Sequence, residues 1–316
     1  MTTTLKKNPI SIDQAYDLCA EEVRLRARNF WYGLRLLPPE QFKALCAVYS
    51  WMRRADDLAD ADDGPDAESR ESALRAYQHR TRALFAGAGA EGLAELDVPK
   101  EEEHVLRAMS AVIESYHLDP HDFDMMIDGQ LADLVPRTVQ TRSELITYCD
   151  QVASTVGRVC VCIWGAGDDG SLKLATTRGI AFQITNILRD IREDHERGRC
   201  YIPADELSAA GLDIDGLLDW SDPKRCTRFV KEQAQIAKEL YEQSAELDAV
   251  IEPACRPTSW AMTTIYRSLL EKIAHRPRLI VGPGRVRLSS LRKIAIALRA
   301  RRLAWYGFGE RGGVVE

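Results

Sequence analysis

QITNILRDIRED, residues 183–194, sets Asn186, Asp190 and Asp194 at steps of four. On an α-helix, residues four apart lie about 40° apart in projection, with Cβ atoms ~6 Å apart. Gln183, Asn186, Asp190 and Asp194 then form one polar stripe, while Ile184, Ile187, Leu188 and Ile191 fall on other faces and anchor the helix in a core. A second stripe occurs in AVYSWMRRADDLAD, where Tyr49, Arg53, Asp56 and Asp60 follow steps of four, three and four. Ala47, Val48, Trp51, Met52 and Leu58 supply apolar surface around it. Two carboxylates ~6 Å apart repel by roughly 3 kcal/mol at an effective dielectric of about 20. A solvated face, or pairing with nearby arginine, offsets that cost, and so does a bound cation. Mg²⁺ takes oxygen ligands and commonly binds through one or two carboxylates plus substrate phosphates. Two acidic stripes facing each other across a cavity would hold Mg²⁺ around a diphosphate.

Outward from these stripes, apolar spacings of three and four dominate and period-2 alternation is rare. The pattern predicts helices over 11–28, 39–62, 68–85, 101–118, 120–133, 142–164, 171–195, 222–250, 257–275 and 288–305. Breaks are expected at 86–99, 165–170, 197–221 and 276–287. None has the composition of a domain linker. The expectation is an all-α, single-domain bundle of about ten helices spanning 1–316, with a short N-terminal tail, 1–10, and a basic C-terminal segment, 272–309.

A chain of 316 residues, 45% apolar and 28% charged, has the balance of a globular protein with an ample core. No run reaches the length of apolar residues that a membrane-spanning helix needs. The opening MTTTLKKNPISIDQ has no apolar signal core, so a cytoplasmic protein is expected. The eight cysteines include no CxxC pair and read as buried thiols. Net charge is −6, unevenly spread. Residues 272–309 hold ten Lys or Arg and no acid, which leaves 32 basic and 48 acidic residues elsewhere, or −16. That profile excludes nucleic-acid binding. It suits work near anionic lipid, or a tail closing over an anionic substrate.

The ordered motifs resemble those of the squalene/phytoene synthase family, the head-to-head prenyl transferases. The first, DDxxD preceded by arginine, appears as Arg53, Asp56, Asp57 and Asp60. The second, QxxNxxxDxxxD, is Gln183, Asn186, Asp190 and Asp194, followed by GRxYxP as Gly198, Arg199, Tyr201 and Pro203. DGQLADL at 128–134, YCDQVASTVG at 148–157 and the basic RVRLSSLRKIAIALRA at 285–300 extend the likeness. It covers the chain from about Asp13 to Ala304. GQLADL and ASTVG depart mildly from the family's GMxxDL and AGTVG.

The resemblance implies an isoprenoid-synthase bundle around a central cavity, and two allylic prenyl diphosphates joined 1′-1 through a cyclopropyl diphosphate. It implies Mg²⁺ held by Asp56, Asp60, Asn186, Asp190 and Asp194. Arg53, Gln183 and Arg199 would bind or orient diphosphate, and Tyr49 and Tyr148 would face the cation or diphosphate. Of Asp128 and Asp133, at most one would meet the site. The 198–207 loop would order over bound diphosphate. NADPH enters only for a reductive last step, and no GxGxxG loop follows a strand to bind it. NFWYGLRLLP, 29–38, leans the donor toward C15, giving presqualene diphosphate or squalene, with phytoene from a C20 donor as the alternative. A head-to-tail elongator or terpene cyclase shares the acidic motifs but not the GRxYxP loop, and a non-catalytic assembly factor would have lost motif aspartates. In the tail, Leu288, Leu291, Ile294, Leu298 and Leu303 are expected to pack into the core beneath a basic outer face, ahead of a peripheral membrane contact.

Overall fold

The computed structural model describes residues 10–27, 31–60 and 66–306, with side chains described as far as Leu303. Asn29 and Phe30 of the 29–38 segment, residues 1–9 of the N-terminal tail and 307–309 of the basic segment lie outside the described residues. The first half of the chain forms α1 (Ile12–Arg26), α2 (Trp31–Leu34), α3 (Pro39–Ala59), α4 (Ala67–Ala83), a π-helical turn (Leu84–Ala88), α5 (Gly89–Gly92), α6 (Lys100–Ser115) and α7 (Pro120–Ala132). Then come β1 (Arg137–Thr138), α8 (Arg142–Cys149), a second π-helical turn (Asp150–Ser154), α9 (Thr155–Ile163), α10 (Asp169–Glu196) and β2 (Arg199–Cys200). The remainder is α11 (Ala204–Ala209), α12 (Ile214–Leu218), α13 (Pro223–Gln243), α14 (Leu247–Val250), α15 (Arg256–His275), a 3₁₀ turn (Pro277–Val281) and α16 (Ser290–Tyr306).

The all-α expectation holds, and each of the ten expected helices has a counterpart. Local chemistry sets the starts. Ser11 and Gln14 form a capping box on α1. Pro39, Pro120 and Pro223 occupy first helical turns, where a missing N–H costs nothing. Asp168 caps α10 by accepting from the amides of Gly170 and Ser171. Three expectations need correction. The breaks at 86–99 and 197–221 hold the short helices α5, α11 and α12, too brief for periodicity to register. The single helices over 142–164 and 222–250 are both interrupted, the first by the π-helical turn and the second between α13 and α14. The only strands among the described residues are β1 and β2, a two-residue parallel pair with Arg137 opposite Arg199.

Two apolar cores meet along α10. In the first, Trp51 is buried with its indole N–H donating to Thr81 Oγ1 at 2.9 Å, Tyr77 stacked on it and Phe123 edge-on. In the second, Ile184, Ile187, Leu188 and Ile191 of α10 pack with Phe229 and Ala237 of α13 and Ile273 of α15. Buried Arg178 ties these three helices, donating to Ser244 Oγ at 2.8 Å and to Thr263 Oγ1. On its other side α10 lies hard against the second π-helical turn. A Cβ at Gly179 would stand 2.6 Å from Ser154 Cα, and one at Gly157 would stand 2.9 Å from the Ala175 carbonyl oxygen. Helix α16 packs on α15 and α2, but not through the residues expected. Ile296 and Ala300 are the buried ones, against Ala261, while Leu291, Ile294 and Leu298 face outward. A continuous periodic helix has two candidate apolar faces, and α16 buries the narrower one.

Candidate active site

The first motif occupies the last two turns of α3. Arg53 reaches Asp57 at 2.6 Å and Asp56 at 3.9 Å. Asp57 also receives Arg26 of α1 at 2.6 Å, so it is a fixed partner for arginines, turned from the stripe as its 100° offset predicts. Asp56 accepts from Gln130 Nε2 of α7 at 2.6 Å. Asp60 caps the helix and faces Arg197 at 3.7 Å and Arg199 at 3.6 Å, both just beyond the second motif. Arginines that follow the second motif thus reach the first, some 130 positions away in sequence, and the Arg199 charge is also felt at Asp194. Half-buried Tyr49 lies one turn before Arg53, as the spacing requires.

The second motif lies on α10. Asn186 Nδ2 donates to Gln183 Oε1 at 3.2 Å, while Asn186 Oδ1 is buried with no hydrogen-bond partner. Asp190 is gripped by two guanidiniums. Arg189 contacts it at 2.7 and 2.5 Å, and Arg285, from the segment after α15, at 2.6 and 2.5 Å. Burial acts to raise the Asp190 pKa, but these two arginines outweigh it and hold the carboxyl below its ordinary value. Asp194 behaves oppositely. Burial first, then the Asp190 charge, push it up to about 7, against the pull of Arg199. Asp56 is likewise pushed up to about 7, by burial and then by Asp60 and Asp57, against Arg53.

A polar network closes the site between α7, α8 and β2. Tyr148 is buried, donates to Asp133 Oδ2 at 2.9 Å and stacks on Tyr201, ring centroids 4.4 Å apart, with Arg137 over its ring. Its hydroxyl is thus engaged with Asp133 and its ring with Tyr201 and Arg137. Of the two acids in DGQLADL, Asp133 is buried in this network while exposed Asp128 pairs with Arg75 at 3.7 Å. Arg199 donates to the Asp133 carbonyl at 2.8 Å. The β1–β2 pair holds this loop in place, so it is more than a turn between helices. Sequence reasoning missed Arg285, Arg189 and Gln130, while the family motifs name Asp133 and Tyr201. The acid-free tail was the signal for Arg285. A surface groove of about 490 Å³, lined by Trp220, Arg276 and Leu279 among others, contains none of these residues.

Comparison with known proteins places this arrangement. The profile for "Squalene/phytoene synthase" matches residues 23–292. The chain belongs to the squalene/phytoene synthase family. Phytoene synthase of Mycobacterium tuberculosis is 34% identical over 294 residues, covering 92% of this chain and 91% of that protein. The chloroplastic phytoene synthase of an Oncidium hybrid is 33% identical over 269 residues, 83% of this chain, and the chain spans only 62% of that relative's length. Among solved structures, a dehydrosqualene synthase superposes with a TM-score of 0.78 at 24% identity, covering 94% of this chain and 98% of that one. Squalene synthase HpnC from Alicyclobacillus acidocaldarius gives 0.74 at 24% identity, over 86% and 97%. These likenesses fix the fold.

The family implies a divalent cation, and the residues fit one. Asn186 Oδ1 is an orphaned, buried hard oxygen, beside the carboxylates of Asp190 and Asp194. Among the described residues no three acidic, His or Cys side chains form a ready-made cage. A cation here would need further oxygens, as diphosphate supplies. The orphaned, buried Nε of Arg53 suits an anion.

The raised carboxyls give a pH signature. Asp56 and Asp194 move from 3.8 to about 7 in the folded chain, so folding favours their protonated forms. Their contribution to stability is full below about pH 4 and is lost as pH rises through 7. A cation held by both would ionise them, so its binding would release protons below pH 7. Titration of Mg²⁺ and inorganic diphosphate in buffers of differing ionisation enthalpy should therefore show, for wild type over Asp56→Asn/Asp194→Asn, extra proton release near pH 6.5 that vanishes near pH 8.5, the diphosphate's own protons cancelling in the difference. Equal differences at both pH values would refute the assignment of these two carboxyls.

Proposed function

We propose that this chain catalyses Mg²⁺-dependent head-to-head condensation of two allylic prenyl diphosphates through a cyclopropyl diphosphate. The observation that carries the reading is that Arg197 and Arg199, just beyond the second motif, reach Asp60 of the first, while Asn186 Oδ1 of the second stripe is buried without a partner. Asp56, Asp60, Asn186, Asp190 and Asp194 would hold the metal. When bound, Mg²⁺ neutralises the diphosphate and stabilises it as a leaving group. Arg53, Arg199 and Arg285 bring guanidiniums to the same space and suit the phosphate oxygens. Gln183 orients Asn186. Tyr49 stands on the stripe to meet the cation or diphosphate. Tyr148 is a positioning residue for Asp133. Apolar walls from the two cores exclude water, which would quench an allylic cation.

The 29–38 segment supports a C15 donor, giving presqualene diphosphate, or squalene if NADPH reduces it. A second reading, a C20 donor giving phytoene, is favoured by the relatives above 30% identity, whose names are phytoene synthases. The test is a product assay. The purified chain receives Mg²⁺ with farnesyl or geranylgeranyl diphosphate, with and without NADPH, and extracts go to mass spectrometry. A C30 product selects the first reading and a C40 product the second. Failure to condense either substrate would refute the reaction and leave a non-catalytic member of the fold. Among the described residues no helix is long and apolar enough to cross a membrane.

A further inference from the structure

The outward face of α16 carries Leu291, Ile294 and Leu298, which are 80%, 39% and 62% exposed. Their spacing of three and four lines them along one side of the helix. Ile296 and Ala300 hold the opposite side against Ala261. Leu291 is thus a leucine almost wholly in water on a helix that already has a buried face. Exposed Arg292 and Arg301 lie beside the stripe, and Arg299 packs its guanidinium 5.7 Å from the Trp260 ring. Across 272–309 there are ten basic residues and no acid. Outward leucines flanked by Arg on an otherwise folded helix are the arrangement of an interfacial helix.

We propose that this face of α16 docks on an anionic lipid bilayer, with Leu291, Ile294 and Leu298 entering the headgroup boundary and the flanking arginines meeting lipid phosphates. Charge complementarity selects the bilayer, since a segment without acids gains attraction from every anionic headgroup within a Debye length. Area argues against a second copy of the chain. Three side chains expose on the order of 300 Å², well short of the ~800 Å² per partner of a stable dimer. The inference rests on this surface and not on the reaction proposed above, and membrane binding is read without turnover.

The test is co-sedimentation of the full chain with vesicles of phosphatidylcholine alone, or with about 30% phosphatidylglycerol. Wild type should pellet with the anionic vesicles, and raised salt should weaken it. L291Q/L298Q should bind at least about tenfold more weakly, because each leucine's transfer is worth about a factor of ten. Its melting temperature should stay within about 2 °C of wild type, since both side chains are already in water. R292Q/R301Q tests the charge separately and should lose the preference for anionic vesicles. Wild type that ignores both vesicles, or L291Q/L298Q that binds as well as wild type, would overturn the proposal. So would a wild-type dimer that L291Q/L298Q converts to monomer with no change in vesicle binding, since the stripe would then be a self-contact.

Discussion

Asp190→Ala should lower turnover at least about a thousandfold while leaving the helical circular dichroism unchanged. The first half of that expectation follows from position. Asp190 stands between Asn186 and Asp194 on the α10 stripe, so a cation held there uses it whichever neighbour joins. Losing one carboxylate that would hold the Mg²⁺ neutralising the leaving diphosphate costs about 4 kcal/mol of transition-state stabilisation, and each 1.36 kcal/mol is tenfold in rate. The second half follows from what surrounds it. Removing a buried carboxylate usually strands its partners, but Arg285 retains Glu193 at 3.7 Å and is half exposed. The substitution also relieves Asp194 of its nearest like charge. The measurement is steady-state turnover beside a far-ultraviolet spectrum. Near-wild-type turnover with either substrate would refute the metal assignment, and Asp56→Ala gives an independent check on the facing helix.

Gly179→Val should cost at least about 3 kcal/mol of stability and lower the melting temperature by roughly 6–12 °C. The atoms a Cβ would strike are backbone: Ser154 Cα at 2.6 Å, and the Ala153 carbonyl oxygen and Ser154 amide nitrogen at 2.9 Å. A side chain in the way would rotate aside, but here α10 or the π-helical turn must move. Gln183 lies one turn further along α10, so a surviving fraction should also bind substrate poorly. A thermal melt by circular dichroism reads the effect. A shift under about 2 °C would mean that the helix and the turn are not in this contact.

The acidic stripes were legible because a helix repeats every 3.6 residues and charges at steps of four advertise themselves. The family motifs added Arg199, which belongs to neither stripe. The π-helical turn at 150–154 was not legible, since DQVAS has no proline or glycine and reads as ordinary helix. Nor could spacing show that Tyr148 is spent on Asp133 and Tyr201, because those contacts depend on where α7 ends and β2 begins. Arg285 meets Asp190 across 95 positions, a distance no local pattern spans. In α16 the apolar count was right but the buried face was not, because only the neighbours α15 and α2 decide which side is covered.

The grip of Arg189 and Arg285 on Asp190 resembles a loaded ion exchanger, a carboxylate already holding its own counter-ions. An incoming metal diphosphate would swap partners with little change in the charge held there. The displaced guanidinium finds phosphate within reach, so the carboxylate's loss of one cation is matched by the anion's gain of another. Free cation alone would offer a poorer trade, because no phosphate would receive the displaced guanidiniums and Arg285 would fall back on Glu193 alone. On the proposed function, the site would thus favour metal that arrives with its diphosphate over metal alone.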